Sequence, residues 1–473
     1  MIYSINFLTI ILNKINDVKF IKDLIKLSNE LNEIFKNSNK NIKEELLKKK
    51  IKTREGKITF EDVLSYIFNY SFIDTTKQSI VSKYNFNNNN SIDRSTFYKK
   101  EKLISLSFYN NIFLKIKQLL NKYLNKKDNV HNVIAVDGTY NNTNIKNDKT
   151  LETSLNMGLY DATNCIPIEL EFKGFENKNK EINSFIDYIK QNNVDESNLI
   201  FVLDRAYFSY DLINFLIDKK IKFVIRVKNN CLYLKNDKEI NKIKSDKIRF
   251  IKYKYNQTIV KKDKDYKDVK LEYTNECNLV TNLDSENYKD DIVNKIYLMR
   301  WDVEVFFKLI KSNFKFAILR EHNNNTSENY KKKYIVILIN LHIIRLIEFI
   351  YDKYKKNKEK KSKEKKSNNK HKYSVKNNIS LMCNGLKNII DDIIKQKIDY
   401  LKLKSYCNCY IIKQTSIIDI SNPRVSKIPH SKWYVKSYSD FYKYFKIIEA
   451  LRTNDTSELN KNLKLELKKC KIL

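Results

Sequence analysis

Three acidic residues stand apart by their local setting. Asp137 closes the apolar run Val133-Ile-Ala-Val136 and is followed by Gly-Thr-Tyr; Asp204 closes Leu199-Ile-Phe-Val-Leu203 and is followed by Arg-Ala-Tyr. Glu304 lies in Tyr297-Leu-Met-Arg300-Trp-Asp-Val-Glu304-Val-Phe-Phe-Lys-Leu-Ile-Lys311. Carboxylates are hard oxygen donors that suit Mg²⁺ or Mn²⁺. Two such ions about 4 Å apart activate an attacking hydroxyl and stabilise the leaving oxygen of an in-line displacement at phosphorus. Each aspartate taken alone also reads as a turn residue at a strand end. The order and setting of all three favour the metal reading.

Drawn as one helix at 100° per residue, Tyr297, Arg300, Glu304 and Lys311 share a stripe about 60° wide. Met299, Val303, Phe306 and Ile310 fall roughly opposite, on a core-facing side. A tyrosine, two cations and a carboxylate on one face suit a phosphate backbone and a metal. The plain alternative is an exposed amphipathic face with Glu/Lys spacing.

These residues need a scaffold that gathers them. Apolar positions recur at helical spacing in 18–31, 34–51, 60–72 and 103–124. Asp93-Arg-Ser-Thr-Phe-Tyr-Lys-Lys-Glu-Lys102 reads as the start of a basic helix capped by Ser95 or Thr96. A short helix, a turn and this helix would form a DNA-reading unit, with a solvated helix bundle as the alternative. From 131 the texture is that of strands. A strand over 133–136 precedes a hairpin of 151–160 and 165–172, followed by a helix over 181–191. A buried strand over 199–203, a helix over 208–219 and a strand over 222–228 complete the run. This is the order of an RNase H-like core, in which two inner strands bring Asp137 and Asp204 together at their C-terminal ends.

Further on, 249–255 and 267–273 alternate loosely and 278–283 reads as a strand, suggesting a small β-rich insertion. The apolar stretch 334–350 contains Asn340, His342, Arg345 and Glu348, so it reads as a buried helix and not a membrane span. Residues 355–372 are dominated by lysine and read as an unstructured linker. The fold class is thus α/β: an RNase H-like mixed-sheet core, preceded by an α-helical domain and followed by a helical, basic region. The units are a helical N-terminal domain (1–125), core first part (126–230), β-rich insertion (231–285) and core second part with the Glu304 helix (286–354). A Lys-rich linker (355–380) and a basic C-terminal region (381–473) follow.

Lys and Arg number 90 against 56 Asp and Glu, a net charge of +34 that favours a polyanionic partner, most commonly nucleic acid. A/T-rich codons for Lys, Asn and Ile are the plain alternative. Seven cysteines without a framework spacing read as reduced thiols of an intracellular, soluble protein, in a prokaryotic cytoplasm or a nucleus. Cys407 and Cys409 lack the second pair a zinc site requires. Residues 1–13 are apolar without a basic n-region and read as a helix, not a signal peptide.

The order Tyr-x2-Arg-x3-Glu-x6-Lys from Tyr297 to Lys311 resembles the signature helix of DDE transposases of the insertion-sequence-4 type. Asp137-Gly-Thr is similar to the first acidic motif of that family. Asp204-Arg-Ala-Tyr, followed by Phe-Ser-Tyr-Asp-Leu-Ile, is similar to the second, and Thr281-Asn-Leu leads into the third. The resemblance covers 130–350; the family usually has glycine where Ala206 stands, and His430-Ser-Lys-Trp-Tyr is reminiscent of its C-terminal regions. It implies that Asp137, Asp204 and Glu304 are catalytic and hold two Mg²⁺ or Mn²⁺ ions. It also implies phosphate contacts by Tyr297, Arg300 and Lys311, and Arg205 beside Asp204 joins them as a DNA-binding candidate. The implied activity is cut-and-paste transposition of double-stranded DNA, joining transposon ends to target DNA in a homodimeric synapse, with no membrane partner. Two other readings are a transposase-derived DNA-binding protein without cleavage activity and a stand-alone RNase H-like nuclease.

Overall fold

The computed structural model describes residues 2–48, 58–89, 91–124, 131–145, 151–174, 180–192, 198–227, 243, 248–262, 268–318, 326–363, 373–411 and 413–417. The stretch from Asn422 to Tyr434, including the His430 motif, lies outside them, as do Cys231 and Cys470. Five helices come first: α1 (Ile2–Lys48), α2 (Phe60–Tyr70), α3 (Lys77–Asn88), α4 (Arg94–Glu101) and α5 (Leu106–Leu124). One continuous α1 replaces the two segments expected from periodicity. A reciprocal capping box of Thr59 and Asp62 starts α2. The cap of α4 is Asp93, ahead of Ser95 and Thr96, because its carboxylate accepts from the Ser95 N–H at 2.6 Å.

The sheet strands are β1 (Asn132–Ile145), β2 (Leu151–Asp161), β3 (Ile166–Gly174), β4 (Leu199–Leu203), β5 (Lys222–Val227), β6 (Arg249–Lys262) and β7 (Asp268–Thr281). Helices α6 (Lys180–Gln191) and α7 (Tyr210–Asp218) fall between them. Among the described residues the seven strands form one mixed sheet in the order β3-β2-β1-β4-β5-β7-β6. The β1–β4 and β4–β5 pairs are parallel and the others antiparallel. This mixed α/β architecture is consistent with an RNase H-like core. The region expected as an insertion contributes a long β6–β7 hairpin that joins the same sheet, since β7 pairs with β5 from Asn278 to Thr281.

The inner strands are apolar throughout because both of their faces are covered. Val133, Ala135, Ile200, Val202 and Val224 enter one core; Ile134, Val136, Phe201, Leu203, Phe223 and Ile225 enter the other. The first core is continuous with the N-terminal helices and with α8 (Asp290–Leu298), α9 (Trp301–Asn313) and the long α10 (Thr326–Lys363). Helices α11 (Ile379–Leu386), α12 (Ile390–Ile394) and α13 (Tyr400–Tyr410) pack into it, beside the small pair β8 (Tyr373–Asn377) and β9 (Lys413–Ile417).

One helix among the described residues has the length and apolarity to cross a membrane, but 89% of its window is buried inside the protein. Its polar residues are engaged within the fold. Asn340 donates to the Ser71 hydroxyl at 2.9 Å, His342 contacts the Leu338 carbonyl, and Arg345 pairs with Glu348. Helix α10 also runs on to Lys363, where an unstructured linker was expected from 355. Lysine is a good helix former and simply extends a helix already nucleated by its buried part. Cys165, Cys277, Cys383, Cys407 and Cys409 are free thiols.

The N-terminal helices are locked onto the end of α9. Phe72 and Phe314 form a short antiparallel bridge and stack at 5.2 Å, both fully buried. Phe72→Ala is therefore expected to cost about 3–5 kcal/mol, measured by chemical denaturation. Phe86→Ala, at a ring 85% exposed, should leave stability within about 0.5 kcal/mol.

Candidate active site

The alternation of side chains along a strand decides which way the two aspartates face. Val136 and Leu203 are the last residues paired between β1 and β4, and both enter the α6–α7 core. The next residues, Asp137 and Asp204, follow side by side, and the period of two turns Asp137 toward the opposite face, where α9 lies. Asp137 is not at the end of its strand, as the sequence suggested, since β1 continues to Ile145 paired with β2. Only the parallel pairing with β4 stops there.

Helix α9 can approach this face because Gly158 pairs with Asp137 and has no side chain. A Cβ at Gly158 would lie 2.7 Å from the Phe307 ring. Phe306 stacks on Tyr160 at 5.5 Å, and Met299, Val303, Phe306 and Ile310 are all buried, as their spacing predicts. Glu304 projects from the first turn of α9 toward Asp137.

Arg300 joins the acids. Its Nη1 lies 3.3 Å from Asp137 Oδ2 and its Nη2 lies 2.6 Å from Glu304 Oε1, with 7% of the residue exposed. Burial alone would weaken the Arg300 charge; Tyr297, Asp204, Asp137 and Glu304 outweigh it and hold the guanidinium more firmly protonated. Burial pushes the Asp137 carboxyl up to about 7, with Arg300 pulling down and Asp204 and Glu304 pushing up. The Gly138 N–H donates to Asp137 Oδ1 at 2.9 Å. Asp137, Asp204, Glu304 and Arg300 thus share one electrostatic neighbourhood.

The expected single stripe from Tyr297 to Lys311 is split. Helix α8 ends at Leu298 and α9 starts at Trp301, with the Arg300 N–H bonded to the Tyr297 carbonyl at 3.0 Å. Tyr297 is consequently buried at 7% exposure, and its hydroxyl has no hydrogen-bond partner among the described residues. Lys311 is half-buried and donates to the Thr139 hydroxyl at 2.7 Å, seven residues beyond Glu304 on the same helix. Arg205 is half-exposed in the 3₁₀ turn Arg205–Tyr207 that follows Asp204.

A fourth carboxylate, Glu181, was not singled out from the sequence. It reaches from the start of α6 to Gly138, where a Cβ would meet its Oε1 at 2.5 Å, and it accepts from the Tyr140 hydroxyl at 3.4 Å. Burial raises its carboxyl, Tyr140 opposes this, and Asp204 adds to it. The glycine directly after Asp137 was the available signal.

Acid-only donors around a buried pocket are the chemistry that suits a hard divalent cation. Among the described residues, however, no three His, Cys, Asp or Glu side chains are grouped closely enough to hold one ion. Arg300 lies between Asp137 and Glu304 and supplies the local positive charge. The donor types are those of a hard-cation site, with Arg300 standing between Asp137 and Glu304.

Residues 128–341 match the family model of the Transposase DDE domain, a span that includes Asp137, Asp204 and Glu304. The match supports a DDE transposase, an enzyme class of the nuclease type whose members act on DNA and generally use divalent metal ions. No curated protein matches the chain.

The raised Asp137 carboxyl has a consequence for stability. The native chain retains a proton up to about pH 7 that the unfolded chain releases near 3.8. This contribution is complete below the unfolded value and is lost as pH rises through the folded one. Asp137→Asn cannot ionise, so in metal-free buffer its melting temperature should gain on wild type as pH rises from about 4 to about 7. A constant difference across that range would contradict the burial of this carboxylate.

Proposed function

We propose that the chain is a cut-and-paste transposase of the insertion-sequence-4 type, cleaving DNA at transposon ends and joining the freed 3′-hydroxyls to target DNA. The observation that supports this reading is the Arg300 bridge between Glu304 on α9 and Asp137, which is followed across the parallel β1–β4 pair by Asp204. Carboxylates around a buried arginine are the donor set of metal-assisted displacement at phosphorus. The attacking group in such a displacement is water or a 3′-hydroxyl.

In this reading Asp137, Asp204 and Glu304 would hold two Mg²⁺ or Mn²⁺ ions. When bound, these supply Lewis-acid stabilisation of the charge that builds on the phosphate. The chain's own residues do the positioning. Arg300 keeps Asp137 and Glu304 facing each other across the sheet–helix gap and is within reach of a phosphate when it releases either one. Lys311, anchored on Thr139, offers an ammonium about two turns along the same helix from Glu304. Arg205 does the same beside Asp204. Tyr297 supports Arg300 from below, its ring centroid 6.0 Å from the guanidinium carbon. A homodimer holding two ends, inside a cell and away from membranes, completes the proposal.

Asp137→Asn, Asp204→Asn or Glu304→Gln should each lower Mg²⁺-dependent cleavage of the element's own ends by about 10³-fold or more, several kcal/mol of lost stabilisation. Duplex binding, measured by fluorescence anisotropy, should survive in each. Undiminished cleavage by any of them would remove that residue from the site, and by all three would refute the reading.

A further inference from the structure

Glu181 is placed by the packing of its own helix. Phe185, one turn further along α6, is fully buried and lies edge-on to Phe201 of β4 at 5.1 Å and to Tyr207 at 6.2 Å. Residues four apart share a helix face, so the contact that seats Phe185 in the core also turns Glu181 toward the seam between β1 and β4. That seam opens beside it, since Val136 and Leu203 are the last paired residues and Asp137 and Asp204 follow.

Gly138 makes the room. It is paired with Met157 inside β1 and its backbone is not left-handed, so no turn requires a glycine there. What the missing side chain provides is space: a Cβ would lie 2.5 Å from Glu181 Oε1 and 2.6 Å from its Cδ. A glycine inside a strand weakens it and marks a close approach. Here the approaching group is a carboxylate.

The fold itself makes little use of that carboxylate. Among the described residues Glu181 accepts one hydrogen bond, from the Tyr140 hydroxyl at 3.4 Å, long for a bond of this kind. Asp204, whose charge acts on Glu181, makes no side-chain bond at the turn it caps. Beside them the Tyr207 hydroxyl is fully buried without a partner among the described residues, and the charges acting on it are those of Glu181, Asp137 and Asp204. A buried hydroxyl left over among acids points to ordered water or an ion between them.

We propose that Glu181 is a fourth acid of the site, accepting hydrogen bonds from the water shell of a divalent cation held at Asp204 and so tightening its binding. This rests on the reading of the acids as metal ligands. Mg²⁺ dehydrates reluctantly and keeps several waters, which lets a carboxylate beyond direct reach act on the ion through them. Glu181 is then a positioning residue and not a ligand. Loss of such an outer partner weakens metal affinity by about 10–100-fold.

The test is the Mn²⁺ affinity of the full chain, read from the electron paramagnetic resonance signal of the free ion, with no DNA and no turnover. Glu181→Gln should raise the Kd by about tenfold or more. The rise in melting temperature on adding Mn²⁺ should shrink in step, which a merely structural loss would not produce. Gly138→Ala, whose Cβ displaces the carboxylate, should lose as much as Glu181→Gln, and the double variant no more than either. Tyr140→Phe removes the hydrogen bond but keeps the carboxylate, and should bind Mn²⁺ as wild type does. Wild-type affinity in Glu181→Gln or Gly138→Ala, or an equal loss in Tyr140→Phe, overturns the role of Glu181; weakened Mn²⁺ binding by Asp204→Asn would then leave the metal reading standing. A wild-type chain that takes up no Mn²⁺, or an Asp204→Asn chain that binds it undiminished, overturns both.

Discussion

The contact on which the site depends is the buried Arg300 guanidinium between Asp137 and Glu304. Carboxylates turned toward one side of a sheet repel one another, and their burial makes the repulsion worse. A single cation inside the group offsets both effects, and it needs the acids as much as they need it. Taking one partner of such a buried set away leaves an uncompensated charge, which costs far more than the set gains over apolar packing. The strand aspartate and the helix glutamate are therefore held to each other through Arg300 within the fold itself. The break between α8 and α9 belongs to the same constraint: it is at Arg300 that the chain turns from one helix into the next.

Two glycines regulate what lies on either side of Asp137. Gly158, its partner across the β1–β2 pair, leaves room for the Phe307 ring and so lets α9 lie close to the sheet. Gly138, its neighbour in sequence, opens the other side to Glu181. The site is thus cut through the sheet as well as laid on it: Asp137, Glu304 and Arg300 on the α9 side, and one further acid reaching Gly138 from α6. The hydroxyl of Tyr207, fully buried, without a hydrogen-bond partner among the described residues and influenced by Glu181, Asp137 and Asp204, belongs to the same neighbourhood.

Much of this arrangement can be read from local pattern. The run 199–203 is a strand to the residue, because five apolar residues bounded by a turn have no other way to be buried on two faces. The buried side of α9 follows from its spacing. What local pattern lacks is the partner. Nothing in Gly138-Thr-Tyr-Asn-Asn142 announces that β1 continues, since β2 supplies the pairing. Likewise β7 joins β5 at Val224–Val227 through contacts far apart in sequence. The break at Met299 has no proline or glycine to mark it, and a wheel drawn through it placed Tyr297 beside Glu304 when the ring is in the core. Glu181 was missed for the same reason: its meaning comes from a glycine more than forty residues away.

The Phe72–Phe314 bridge bears on how such a chain can change over time. A helical segment ahead of a sheet invites description as an exchangeable module. Here the loop after α2 pairs with the backbone at the end of the acid-bearing helix, and the first core runs without interruption from α1 to α13. Replacing the N-terminal helices by those of another protein would put foreign side chains under the Glu304 helix itself. Exchange at that boundary would disturb the packing beneath the Glu304 helix.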